Sequence, residues 1–171
     1  AVLRLSIHSM EGREIVRLTE NTVLNKTRVD NLKHVKNLNL WGNDLVDVSL
    51  LQQMPNVEVL SLSVNKINSL QDFGHCTKLQ ELYLRKNNIG DLQEVRFLKP
   101  LRHLKILWLC DNPCANASSY RPYVIWHLPQ LQKLDNVDIT DNERQSVRRL
   151  SEDDIANMAQ RGDAPAPKPV V

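Results

Sequence analysis

The residues best equipped for chemistry in this chain are Trp41, Val59, Tyr83, Arg85, Ile106 and Trp108. That chemistry would be recognition, because aromatic rings, aliphatic surface and a guanidinium supply most of the binding energy of protein interfaces. Groups suited to making and breaking bonds are scarce. The five histidines (His8, His34, His75, His103 and His127) share no spacing, so no metal site is expected. Cys110 and Cys114 are four residues apart, but no second pair completes a zinc set. Asp111-Asn112-Pro113 reads as a turn rather than a catalytic pair. The sequence has no glycine-rich phosphate loop, nucleophile elbow or paired-carboxylate motif, and five glycines leave little room for one. It therefore predicts no enzyme, no cofactor, no metal and no small-molecule substrate.

A repeated unit must position these six residues. Leu79-Gln80-Glu81-Leu82-Tyr83-Leu84-Arg85-Lys86-Asn87-Asn88-Ile89 reads L-x-x-L-x-L-x-x-N-x-I. On a short strand, Leu82 and Leu84 point to one side while Tyr83 and Arg85 point to the other. Val35, Leu38, Leu40, Asn43 and Leu45 fill the same slots, as do Val57, Leu60, Leu62, Asn65 and Ile67. Leu104, Leu107, Leu109, Asn112 and Cys114 form a fourth set. The asparagines are separated by 65 − 43 = 22, 87 − 65 = 22 and 112 − 87 = 25 residues. The other half of each unit has an apolar residue at every third position: Val48, Leu51, Met54; Leu70, Phe73, Cys76; Leu92, Val95, Leu98. Leu101 adds one further beat and accounts for the longer unit. A beat of three suits 3-10 turns.

This template is that of a leucine-rich repeat. The expected fold is an α/β solenoid, right-handed, with parallel strands on the concave face, short helical or 3-10 turns on the convex face, and a cap at each end. Stacking the strands places Val59, Glu81 and Ile106 in one ladder and Asn39, Ser61, Tyr83 and Trp108 in the next. Trp41, Ser63, Arg85 and Cys110 form the third. The six recognition residues would then share the concave face, rimmed by Lys36, Lys86 and Lys105. A role in binding a protein partner is the expectation.

The chain divides into an amino-terminal extension and cap (1–34), four repeats (35–118), a carboxy-terminal cap (119–150) and a charged, then proline-rich, flexible tail (151–171). Two readings compete near the start. Val16, Leu18, Asn21 and Val23 could form a degenerate repeat, or a capping helix could start near Thr19 with Val23, Leu24 and Val29 on its buried side. In the carboxy-terminal cap, Ser119 would cap a helix with Pro122 in its first turn. Val124, Ile125 and Leu128 would face the last repeat, and Thr140-x-x-Glu143 would open a further helix as a capping box. Arg144, Arg148 and Arg149 read as a solvated face. The balance of 22 basic and 20 acidic residues gives no electrostatic case for nucleic acid or membrane as a partner. No apolar run is long enough to span a bilayer, and Ala1 to Ser9 lacks a signal-peptide core. The three cysteines fit inside the repeat pattern, which predicts reduced thiols in a cytoplasmic protein.

The segment Tyr120-Arg121, followed by Leu128-Pro129-Gln130-Leu131-Gln132-Lys133-Leu134-Asp135, resembles the cap of a family of short leucine-rich-repeat proteins. That family includes a protein phosphatase regulator, the spliceosomal U2 A-prime protein and axonemal dynein-associated light chains. L-N-L-W-G-N-D-L (38–45), E-V-L-S-L-S-V-N-K-I (58–67), E-L-Y-L-R-K-N-N-I (81–89) and L-W-L-C-D-N-P-C (107–114) look most like its ciliary and flagellar members, over roughly residues 19 to 150. The first 18 residues have no counterpart there. The resemblance implies a non-enzymatic protein of the cilium or flagellum, placed at the basal body. It also implies a tie to a NIMA-related kinase through a carboxy-terminal region absent from this chain. The rival readings are a regulatory subunit of a protein phosphatase and a spliceosomal ribonucleoprotein component.

Overall fold

The computed structural model describes residues 6–8 and 14–160. Strands β1 (Ser6–His8) and β2 (Glu14–Val16) pair antiparallel as a separate two-stranded sheet. The capping helix, not a degenerate repeat, follows as α1 (Glu20–Thr27). The Thr19 hydroxyl accepts from the Thr22 N–H and satisfies one of the helix's unpaired donors. Val23 is fully buried, and Leu24 and Val29 pack against the core from partly exposed positions. The extension is tied to the first repeat by backbone bonds from Leu18 N–H to Asp47 C=O (2.8 Å) and Val46 N–H to Val16 C=O (2.9 Å). An Arg17–Asp47 ion pair at 2.6 Å lies beside them.

The repeats contribute β3 (Asn37–Asn39), β4 (Val59–Ser61), β5 (Glu81–Tyr83) and β6 (Ile106–Trp108), all parallel. Strands β7 (Lys133–Leu134) and β8 (Val137–Asp138) extend the sheet, the last one antiparallel. The inward leucines of the four repeat strands are buried without exception. On the other side of that core run 3-10 turns at Ser49–Gln53, Gln71–His75 and Leu92–Leu98. The third is the longest, seven residues against five, and takes up two of the three additional residues of its unit while Glu81 still pairs with Ile106 in register.

The repeat asparagines stitch neighbouring units together. Asn87 Oδ1 accepts from Ile67 N–H (3.0 Å), and its Nδ2 donates to the carbonyls of Leu62 and Leu84 (both 3.0 Å). Asn65 and Asn112 do the same one unit away, so Leu62 C=O receives both Asn65 and Asn87, and Leu84 C=O receives both Asn87 and Asn112. These amides serve groups that the turn would otherwise leave buried and unpaired. Asp135 takes over at the end of the series. It accepts from Leu109 N–H, Cys110 N–H and the Tyr120 hydroxyl. A carboxylate fits there because these three contacts are all donors.

The carboxy-terminal cap begins with α2 (Tyr120–His127), whose Val124 and Ile125 are buried, as is Leu128 beyond its end. The Ser119 hydroxyl does not cap α2 as expected; it donates to Met158 C=O at 3.1 Å. Helix α3 (Asp141–Arg148) starts at the capping box, with both of its reciprocal bonds formed. Arg144 is only partly exposed. It donates to the carbonyls of Pro129 (2.8 Å) and Leu131 (2.6 Å) and so pins α3 to the last turn.

A third departure from expectation concerns residues 151–171. Glu152–Gln160 form helix α4, which buries Ile155 and packs Met158 and Ala159 partly against the core. The charged first turn of α4 conceals a small apolar stripe that finds α2 as its partner. The proline-rich stretch from Gly162 lies outside the described residues.

His127 sits between Tyr123 and Trp126, only 8% exposed, with neither ring nitrogen hydrogen-bonded. Burial, with Lys99 and Arg96 nearby, pushes its pKa down from 6.5 to about 4. The unfolded chain therefore takes up a proton as the pH falls through 6.5, whereas the folded chain does so only near 4. Stability present above pH 6.5 is lost across that window, by about 2–3 kcal/mol. Urea midpoints measured at pH 7 and pH 4 should show this loss, and His127→Phe should reduce it.

Candidate concave binding face

Backbone pairing fixes which outward side chains become neighbours. Asn39, Ser61, Tyr83 and Trp108 align across β3 to β6, and Val59, Glu81 and Ile106 align one step earlier. Pairing continues past the strands through Gly42 N–H to Ser63 C=O (3.1 Å), Val64 N–H to Arg85 C=O (2.9 Å) and Lys86 N–H to Cys110 C=O (3.1 Å). Trp41, Ser63, Arg85 and Cys110 are thereby adjacent.

Four of the six expected site residues come together. Trp41, Tyr83, Arg85 and Trp108 line one open groove of about 460 Å³, with Asn39, Ser61 and Ser63 between them. Val59 opens instead onto a neighbouring depression beside Lys26 and Thr27 at the end of α1. Ile106 is half-buried in the same ladder as Val59 and does not line the groove. Lys86 lines the groove, whereas Lys36 pairs with Glu58 at 3.2 Å.

The groove is rigidly built on one side. The Tyr83 and Trp108 rings meet edge to face with centroids 5.3 Å apart, a favoured aromatic geometry. The Tyr83 hydroxyl donates to Glu81 at 2.6 Å. Burial and the neighbouring Glu81 push the phenol pKa up to about 12, so it stays protonated. Arg85 Nε donates to Asp111 at 2.7 Å, which holds the guanidinium over the sheet. The opposite wall, Trp41, is 63% exposed. Sequence reasoning missed Glu81 and Asp111 as the groups that orient Tyr83 and Arg85. The signal for Asp111 was its place just before Asn112, level with Lys86 before Asn87.

Backbone shape also contributes. Gly42, Val64, Lys86 and Asp111, each immediately before a repeat asparagine, all adopt left-handed φ between 56° and 68°. Gly42 does so freely, whereas Val64 is β-branched and strained there. Among the described residues, no cluster of three or more histidine, cysteine or acidic side chains is arranged to hold a metal. Cys76 and Cys114 are buried free thiols whose pKa values burial pushes up to about 12. No helix among the described residues is long and apolar enough to cross a membrane. The arrangement presents rings, a guanidinium and hydroxyls to a partner.

The comparisons with known proteins agree with this fold. Cilia- and flagella-associated protein 410 of Mus musculus is 43% identical over 146 residues, covering 84% of this chain and 58% of that protein. Its counterpart in Homo sapiens is 45% identical over 139 residues, covering 80% of this chain and 54% of that protein. The chain thus spans little more than half the length of these curated relatives. In the crystal structure of the Drosophila melanogaster SNF/U2A' complex, one chain shares this fold. It superposes with a TM-score of 0.67 at 22% identity, covering 92% of this chain and 94% of that one. The leucine-rich-repeat profile matches residues 31–161. Four asparagine-punctuated units, their parallel concave sheet and that match place this chain in the leucine-rich-repeat family.

Proposed function

We propose that this protein is a non-enzymatic scaffold of the cilium or flagellum, stationed in the cytoplasm at the basal body, which grips a protein partner on its concave face. The observation that carries the reading is the groove itself. Two tryptophans, a tyrosine and an arginine are concentrated on one solvated sheet face, in a chain that is only 5% aromatic. Such side chains dominate interface energetics, and a face that exposes them without a covering element is what a partner surface looks like. The ciliary assignment is supported by identities of 43–45% to cilia- and flagella-associated protein 410. In this reading a NIMA-related kinase is engaged through a carboxy-terminal region absent from this chain, which spans little more than half the length of its ciliary relatives.

A second reading draws on the U2 small nuclear ribonucleoprotein A' of Neurospora crassa, 34% identical over 66% of this chain. The higher identity to the ciliary proteins favours the first.

The test is affinity purification from ciliated-cell extract with the wild-type chain and a Tyr83→Ala, Arg85→Glu, Trp108→Ala variant of unchanged melting temperature. The wild type should retain ciliary proteins that the variant loses. Equal recovery by both would remove the concave face from the proposal. Recovery of spliceosomal proteins, or of a phosphatase catalytic subunit, would replace the ciliary role.

A further inference from the structure

The groove has an unusual cross-section. Its floor is β4 and the residues just after it, which contribute Ser61, Ser63 and Val64 on this side. Its walls rise from the neighbouring strands: Trp41 follows β3, while Tyr83 and Arg85 belong to and follow β5, with Trp108 behind Tyr83. Strands lie about 4.8 Å apart, so the two walls stand roughly 10 Å apart, backbone to backbone. Ring and side-chain thickness narrows that further. An α-helix with its side chains is about 10–12 Å across and does not enter. One extended chain does.

Hydrogen-bonding capacity points to what kind of extended chain. Among the described residues, the indole N–H groups of Trp41 and Trp108 and the hydroxyls of Ser61 and Ser63 have no protein partner. The Asn39 oxygen is already used by Trp41 N–H, which leaves its NH₂ group free to donate. The Tyr83 hydroxyl already donates its hydrogen bond to Glu81. The indoles can only donate, and the Asn39 NH₂ group adds its donors to theirs. The acceptors are the two serine hydroxyls and the Tyr83 oxygen, so donors outnumber acceptors and a ligand rich in unpaired N–H groups would be less well served. A ligand whose backbone offers carbonyls and few N–H groups would be well served.

We infer that the slot between Trp41 and the Tyr83–Trp108 pair binds a proline-rich segment of a protein partner in the polyproline II conformation. Proline has no N–H, and its carbonyls in that helix make no internal bonds, so they are free for the indoles, the Asn39 amide and the serines. Its rings stack against aromatic walls, the general mode by which such segments are recognised. The helix rises about 3.1 Å per residue, so three residues span the step of two strand residues between the Ser61 and Ser63 ladders with some overhang. Lys86 at the open rim, together with the Arg85–Asp111 pair, leaves the slot free of a net negative charge that would repel carbonyl oxygens.

This inference rests on the concave face being the binding surface, and it names the ligand. The test is titration of the intact chain with a polyproline peptide of about ten residues, read by tryptophan fluorescence and calorimetry, beside an alanine-rich helical peptide of equal length. The polyproline peptide should give a saturable change and the helical peptide none. Trp108→Ala and Trp41→Ala should each weaken binding about tenfold or more. Ser63→Leu keeps both walls but fills the floor, and should abolish binding with an unchanged melting curve. Trp126→Phe, on α2, should leave the affinity as it was. Absence of a saturable change in the wild type, or full binding by Ser63→Leu, would overturn the proline-rich ligand. If the triple variant still loses its cellular partners in that case, the concave interface stands with a different ligand. If it loses none, both readings fall.

Discussion

Asn87→Asp is expected to destabilise the folded array at neutral pH by more than Asn87→Ala, although it changes fewer atoms. In the wild type, Asn87 makes three buried bonds, one as acceptor and two as donor. Alanine leaves Ile67 N–H without a partner and removes one of two bonds from each of Leu62 C=O and Leu84 C=O. An orphaned buried donor costs about 1–3 kcal/mol, and the weakened carbonyls add to it, so a loss of roughly 2–4 kcal/mol is expected. Aspartate keeps the acceptor for Ile67 but sets a buried carboxylate against two carbonyl oxygens, with no donor to offer either. That is an uncompensated buried charge, costing at least about 3 kcal/mol. Here the folded-state pKa lies above the unfolded value. Relative to wild type, the variant is therefore penalised above pH 4 or so and partly relieved as the pH falls and the carboxyl is protonated. Denaturant midpoints at pH 7 and pH 4 distinguish the two variants. The Asp penalty should shrink on acidification and the Ala penalty should not. Asp135 occupies the related place at the end of the series without cost because it meets only donors.

Leu84→Ala is expected to cost roughly 2–5 kcal/mol, measured as a lowered denaturant midpoint with little change in slope. Leu84 is fully buried in the continuous core, between Leu62 of the preceding unit and Leu109 of the following one, both also fully buried. Each repeat is one layer thick, so a cavity there is shared by two interfaces between units, and collapse around it would disturb the strand register on both sides. Arg85→Glu, one residue away, should cost under about 1 kcal/mol. It breaks an ion pair between two half-exposed side chains. The contrast separates the two faces of one strand. Comparable losses for Leu84→Ala and Arg85→Glu would mean that Arg85 is structural.

Most of this architecture was legible because it rests on short-range periodicity. Alternation places Leu82 and Leu84 opposite Tyr83 and Arg85, and the regular asparagine spacing sets the register that puts Ser61 beside Tyr83. The Thr140 capping box was equally local. What escaped depended on surfaces that exist only after folding. Helix α4 is hidden because Glu152, Asp153 and Asp154 dominate its composition, while Ile155 and Met158 become core only against α2. Ser119 has the residue type of a helix cap, yet its hydroxyl is taken by a carbonyl nearly forty residues away (158 − 119 = 39). Arg144 reads as solvated until Pro129 and Leu131 present their carbonyls to it. At the site, the outward residues followed from alternation. The division between groove (Trp41, Tyr83, Arg85, Trp108) and neighbouring ladder (Val59, Ile106) followed from where along the strands the tall side chains stand beside small ones.

The longer third unit carries a lesson about how such an array tolerates change in length. Its three additional residues are taken up by a longer 3-10 turn and by Leu101, which joins the core, while Asn87 and Asn112 bond as if nothing had been inserted. The spacing tolerance lies entirely behind the sheet. A lineage of such proteins is therefore free to gain and lose residues on its outer curve, or to duplicate a whole unit, with the inner ladder acting as a fixed gauge. Sequence drift and indels should accumulate on the outer curve, while the inner face keeps the spacing that a ligand reads.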